Sequence, residues 1–136
     1  MQDLRVGLVA ERESCRAKES LKAILSAEVS GVTDFGSEED YDSHVAVTRA
    51  AEALYRGNCD CCILLSVSGS GLQMYANKYS FVRATTIFDP NSVSALVRDL
   101  DLNMVDIPTH LPLTSIAEIA LRFLDSFEER HHAMAR

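Results

Sequence analysis

The chain has 136 residues, 47% of them apolar, which fits one domain (1–136) with its own core and excludes a disordered chain. A formal net charge of −7 argues against a broad nucleic-acid surface. No apolar run is long enough for a membrane span, and the opening MQDLRVGLVAERES lacks the shape of a signal peptide, so a soluble cytoplasmic protein is expected.

Strand-length apolar runs alternate with helical patterns. Leu4–Ala10 reads as a first strand. Ala17, Leu21, Ile24 and Leu25 then recur at helical spacing. Val32–Phe35 is a short second strand, closed by Gly36. Val47, Ala50, Ala51 and Leu54 form the next helical face, with Gly57 after its end. Cys61–Ser66 is a continuous apolar run, the mark of a central parallel strand. A glycine loop follows, then a helix through Lys78. Val82–Phe88 predicts a fourth strand and Val93–Leu100 a fourth helix. Met104–Ile107 predicts a fifth strand. Ser115 with Glu118 reads as a capping box opening a long last helix.

This βα alternation predicts an α/β fold: a three-layer α/β/α, Rossmann-like domain around a five-stranded parallel sheet. Ligands of such sheets bind at the carboxyl ends of the strands. The site is therefore expected among 10–13, 36–42, 66–71, 88–91 and 108–113. The four cysteines are Cys15, Cys59, Cys61 and Cys62. The CxxC they contain enters a strand and has no partner pair, so it reads as reduced, packed thiols rather than a redox or metal motif.

The sharpest local signal is SVSGSGLQMYANK, residues 66–78. Glycines and small hydroxyl residues between a strand and a helix let backbone N–H groups converge on one spot, and the helix start adds positive potential. Such a nest suits a phosphate or an enediolate oxygen, although a Gly-Ser loop is often only a tight turn. It is not a Walker loop, since no Lys-Ser/Thr follows the glycines. A receiver domain shares this topology. It needs an aspartate where Ser66 stands and a lysine where Ile107-Pro108 stands.

Over roughly residues 5–132 the sequence resembles ribose-5-phosphate isomerase type B and the galactose-6-phosphate isomerase subunits. The resemblance is carried by SVSGSGLQMYANKYSFVRA, Asp40-Tyr41, Asn103 and Arg130-His131. It implies aldose–ketose interconversion of a phosphorylated sugar through a cis-enediolate, without metal or cofactor. It also implies sites built at a dimer interface, either in a homodimer or in a heteromer with a paralogous isomerase subunit.

Carried over residue by residue, the resemblance puts Ser66 where the family holds a cysteine base. Leu72 stands where another branch holds a glutamate. Glu11-Arg12 falls on an Asp-His pair, and Asp99 on a ring-opening histidine. Ser68, Gly69, Ser70 and Gly71 keep the loop, with Val67 in place of a further glycine. Tyr41 falls in the sugar pocket, and Arg12, His110 and Arg130 fall on the phosphate grip.

Two readings follow. One is an isomerase with a replaced base, in which Glu11 moves the proton, Asp99 assists and Ser68 helps hold the enediolate. The other is an impaired binding subunit or pseudoenzyme that keeps the phosphate grip and pairs with an active paralogue. Because Ser66 has no activator predictable from sequence, little proton exchange is expected from the lone chain. Each residue also has a plain structural role open to it: Ser66 as a polar strand end, Arg12 and Arg130 as surface charges, Asn77 and Lys78 as helix-end groups, and His131-His132 as a solvated tail.

Overall fold

The computed structural model describes residues 1–36 and 41–135. Asp40 and Arg136 therefore lie outside the described residues. Five strands run in chain order: β1 Arg5–Ala10, β2 Gly31–Asp34, β3 Cys61–Ser66, β4 Ala84–Thr86 and β5 Met104–Pro108. The helices are α1 Cys15–Ser26, α2 Ser43–Tyr55, α3 Gly71–Ala76, α4 Val93–Leu100 and α5 Leu113–Ala135. All paired strands are parallel, in the order β2-β1-β3-β5-β4.

Right-handed crossovers fix the layers. The chain moves outward from β1 to β2, back over β1 to β3, out to the β4 edge, and back to β5. Helices α1, α4 and α5 thus cover one face, where Leu8, Leu21, Ile63, Ile107 and Phe123 form the larger core. Helices α2 and α3 cover the other, with Val9, Val47, Leu64, Leu72 and Met104. Strand β3 is buried along its whole length, as a central strand sandwiched by helices must be. Connections leave β1 and β3 toward opposite faces, so a crevice opens between their carboxyl ends.

Beyond shifts of a single residue, the fourth strand, the end of α3 and the start of α5 differ from the sequence reading. The fourth strand is shorter than Val82–Phe88. It sits at the sheet edge, and its first residue is engaged by a side chain: Asn77 Nδ2 donates to Ala84 O at 2.8 Å and Ala84 N donates to Asn77 Oδ1 at 3.0 Å. That use of Asn77 also ends α3 at Ala76. The last helix begins at Leu113, so Ser115 lies inside its first turn and caps nothing. The Pro112 carbonyl takes the amides of Ser115 (2.9 Å) and Ile116 (3.0 Å) instead, and proline's fixed φ suits a helix entry.

Cys59, Cys61 and Cys62 are buried and Cys15 is half-buried, all as free thiols. Gly7 makes room for them: a Cβ there would stand 2.8 Å from Cys62 Sγ. No helix among the described residues is long and apolar enough to cross a membrane.

Candidate functional site

The crevice is walled by the turn after β1, the glycine loop after β3 and the turn after β5. The Glu11 amide donates to Leu65 O at 2.9 Å and the Thr109 amide to Ser66 O at 2.9 Å, so the turns after β1 and β5 are stitched to the end of β3. Ser14 and Thr109 share a hydroxyl hydrogen bond of 2.7 Å.

Within the loop, Gly69 has φ +89°, and a Cβ on it would lie 2.9 Å from both Pro108 Cγ and Thr86 Cγ2. The loop therefore presses directly onto the ends of β4 and β5. The Thr86 hydroxyl donates to Gly69 O. Ser68 Oγ accepts from the Ser70 amide at 3.4 Å, which curls the loop locally.

Glu11 reaches into this loop. The Val67 amide donates to Glu11 Oε1 at 2.6 Å. Gly71 leaves space for the second oxygen, which would stand 3.2 Å from a Cβ at that position. The protein's own carboxylate thus rests on an amide of the nest. Arg12 projects beside it and donates to Tyr41 O at 3.1 Å. The Tyr41 hydroxyl donates to Ala10 O, and burial pushes that phenol up to about 12. His110 brings its Nδ1 to 3.1 Å from Val67 O. One neighbourhood therefore gathers Glu11, Arg12, Tyr41, Ser68, Gly69, Ser70, Gly71 and His110.

Ser66 is there too, but underneath. It is 0% exposed. Its hydroxyl donates to Asp106 Oδ2 at 2.9 Å and accepts from the Leu72 amide at 3.3 Å. The Gln73 amide donates to the same Asp106 Oδ2 at 2.8 Å. Ser66 and Asp106 together satisfy two of the amides that the first turn of α3 leaves open. Asp106 is also 0% exposed, and its Oδ1 has no hydrogen-bond partner. Burial pushes its carboxyl up to about 7, against the pull of Ser66 and Gln73 and with a further push from Glu11.

Asp106 was missed by sequence reasoning. The signal was a lone carboxylate inside the apolar run MVDIP.

Asp99 and Arg130 do not join this neighbourhood within one chain. Helices here run antiparallel to the strands, so the ends of α4 and α5 lie at the opposite edge of the sheet. Arg98 Nε donates to Asp99 Oδ1 at 3.3 Å, and Arg130 Nε donates to Asp101 Oδ1 at 2.8 Å. Asn77 and Asn103 serve the backbone, Asn103 Oδ1 accepting from Arg83 N at 2.8 Å. His131 packs its ring against Phe127, with centroids 4.0 Å apart. No cluster of three His, Cys, Asp or Glu suited to a metal occurs among the described residues.

A comparison with protein families matches residues 6–136 to the ribose/galactose isomerase family. The chain belongs to that family. Solved ribose/galactose isomerase family structures share its fold. The type B ribose 5-phosphate isomerase of Trypanosoma cruzi is 26% identical, with 98% of this chain and 92% of that one covered at a TM-score of 0.80. The Trypanosoma brucei protein is 25% identical, with 98% and 95% covered at 0.81. The Mycoplasma genitalium ribose-5-phosphate isomerase B, solved with bound ribulose-5-phosphate, is 16% identical, with 98% and 95% covered at 0.80. In this ribose/galactose isomerase family member the crevice lies at the carboxyl edge of the sheet, and β3 ends there on a buried serine tied to a buried aspartate.

Proposed function

We propose that this chain binds a phosphorylated sugar in the crevice and interconverts its aldose and ketose forms, with Glu11 carrying the proton. The observation that carries this reading is the Glu11 carboxylate at the mouth of the glycine loop, bonded to the Val67 amide at 2.6 Å. Aldose–ketose exchange needs a group that takes a proton from one carbon and returns it to the next, beside donors for the enediolate oxygen. Glu11 supplies the first and the loop amides the second. The two are coupled: a carboxylate that has taken the substrate's proton is a weaker acceptor, so the Val67 N–H is released toward the developing oxyanion. Arg12 supplies positive charge and His110 a ring nitrogen to bond the phosphate. Relatives named as ribose 5-phosphate isomerases make a pentose phosphate the first substrate to try.

An oligomer follows from the same reading. Asp99 and Arg130 lie at the far edge of the sheet from Glu11, so they contribute to a site only if a second chain presents them. That chain is either a copy or a paralogue.

A second reading, an impaired binding subunit, is favoured by Ser66. Its hydroxyl is fully buried and already committed on both sides.

Exchange of the substrate C2 proton in D₂O separates the readings. The Glu11 reading expects exchange by the wild-type chain, reduced by about 10²–10⁴-fold in Glu11→Gln. Ribose 5-phosphate that binds in calorimetry without exchange, with or without Glu11, favours the binding subunit. No heat and no exchange defeats both.

A further inference from the structure

Beneath the loop lies a group that neither reading uses. We propose that Asp106 is a positioning residue of the loop site: through Ser66 and the first turn of α3 it sets the direction of the amides from Val67 to Gln73, and the proton it holds governs how readily the loop receives an anion. The anion half of this proposal rests on the loop being an anion site.

The geometry is specific. Asp106 lies on β5 in register with Leu64 of β3 and Thr86 of β4, facing α3. Both of its hydrogen bonds, from Ser66 Oγ and Gln73 N, fall on Oδ2, and Oδ1 is buried without a partner. An ionised carboxylate would leave half its charge on that unpartnered oxygen in a slot closed to water, which is costly. The proton therefore belongs on Oδ1, which leaves Oδ2 free to accept.

Glu11, from the end of β1, is the ionisable group facing Asp106, and it opposes loss of that proton. Strand β3 presents Ser66, strand β4 Thr86, and helix α3 the Leu72 and Gln73 amides. His110 stands on the loop itself, against Val67 O.

Two consequences follow when the proton leaves. The bonds to Ser66 and Gln73 become charge-assisted and draw the start of α3 inward. A negative charge then sits directly under the amides that would face a phosphate, and it repels the ligand. Since burial holds the carboxyl at about 7, the change falls near neutral pH: the loop accepts an anion below that value and resists it above.

The test begins without a ligand. In a His110→Gln background, chosen because an imidazole also responds to pH near neutrality, the Val67, Leu72 and Gln73 amide resonances are followed from about pH 5.5 to about pH 8.5. We expect Leu72 and Gln73 to titrate together near neutrality. The titration should vanish in Asp106→Asn, whose side-chain oxygen accepts the same two bonds, and should move to lower pH in Glu11→Gln. Flat resonances in the Asp106 protein, or an unchanged titration in Asp106→Asn, overturn the proposal.

Inorganic sulfate, which keeps its charge over this range, is then titrated into the same proteins. Its affinity should fall roughly three- to tenfold with rising pH when Asp106 is present and stay level in Asp106→Asn. Amides that titrate while sulfate binds equally at every pH, or binds at none even in the protein that keeps His110, overturn the anion half. That result leaves the Glu11 reading to the exchange experiment, which does not depend on it.

Discussion

Ser66 makes two hydrogen bonds that tie β3 to its neighbours. It is the last residue of β3, its hydroxyl is shared between Asp106 and the Leu72 amide, and it has no exposure. The end of β3 is thereby part of the support for α3. The carboxylates on either side differ in kind, with Glu11 partly exposed over the loop and Asp106 sealed under it. The Asp106 carboxyl is pushed from an ordinary 3.8 to about 7 by burial, so between those values the folded chain holds a proton that the unfolded chain has released. Stability must therefore fall as pH rises through that window, by at most ~4 kcal/mol. Asp34 acts oppositely. Burial raises its carboxyl, but the Gly36 amide and Lys18 outweigh this and leave it below the usual range. Its contribution is thus lost on acidification, not on raising the pH. Urea denaturation of wild type and Asp106→Asn at several pH values removes the common part. The wild type should lose stability relative to the variant between about pH 4 and about pH 7, and parallel curves would show Asp106 to be unperturbed.

The loop and α3 act as one unit. Gly69 was legible as a turn residue, but the sequence could not say what presses on it. With φ at +89° and two atoms 2.9 Å from any added Cβ, Gly69→Ala meets both backbone strain and overlap with Pro108 and Thr86. We expect a loss of about 2–4 kcal/mol in chemical denaturation, and a cost under 1 kcal/mol would mean that the loop lifts easily off β4 and β5. Elements with a strong period were read well. Cys61–Ser66 and Val93–Leu100 match to the residue, since a continuous apolar run and a clear stripe leave few alternatives. The fourth strand and the start of α5 were misjudged because Asn77 and Pro112 decide them through contacts that periodicity does not encode.

The whole molecule leaves α2 and α3 with apolar groups in water. Met74 is 69% and Val45 46% exposed, and His44 stacks on Tyr75 with ring centroids 4.4 Å apart. We expect this face near a subunit interface, consistent with the need for a second chain to bring Asp99 and Arg130 to the crevice. Sedimentation at micromolar concentration should report two chains, with Met74→Lys shifting the population toward one. A wild-type monomer would remove the shared site and leave Glu11, Arg12 and His110 to act alone.

The sequence by itself determined the layer architecture and the sheet's five strands. It also determined the position of the glycine loop at the carboxyl edge, because hydrophobic period and crossover handedness are local rules with few solutions. It brought Glu11, Arg12 and the loop to one edge for the same reason. Only the tertiary structure decided what each polar group does there. Ser66 is a cap because Asp106, forty residues later, arrives beside it through strand pairing. Glu11 rests on Val67 because Gly71 has no side chain to exclude it. Such contacts depend on distances of a few ångströms between strands remote in sequence. A residue's chemistry is set by burial and partners at that range, not by its neighbours in the chain.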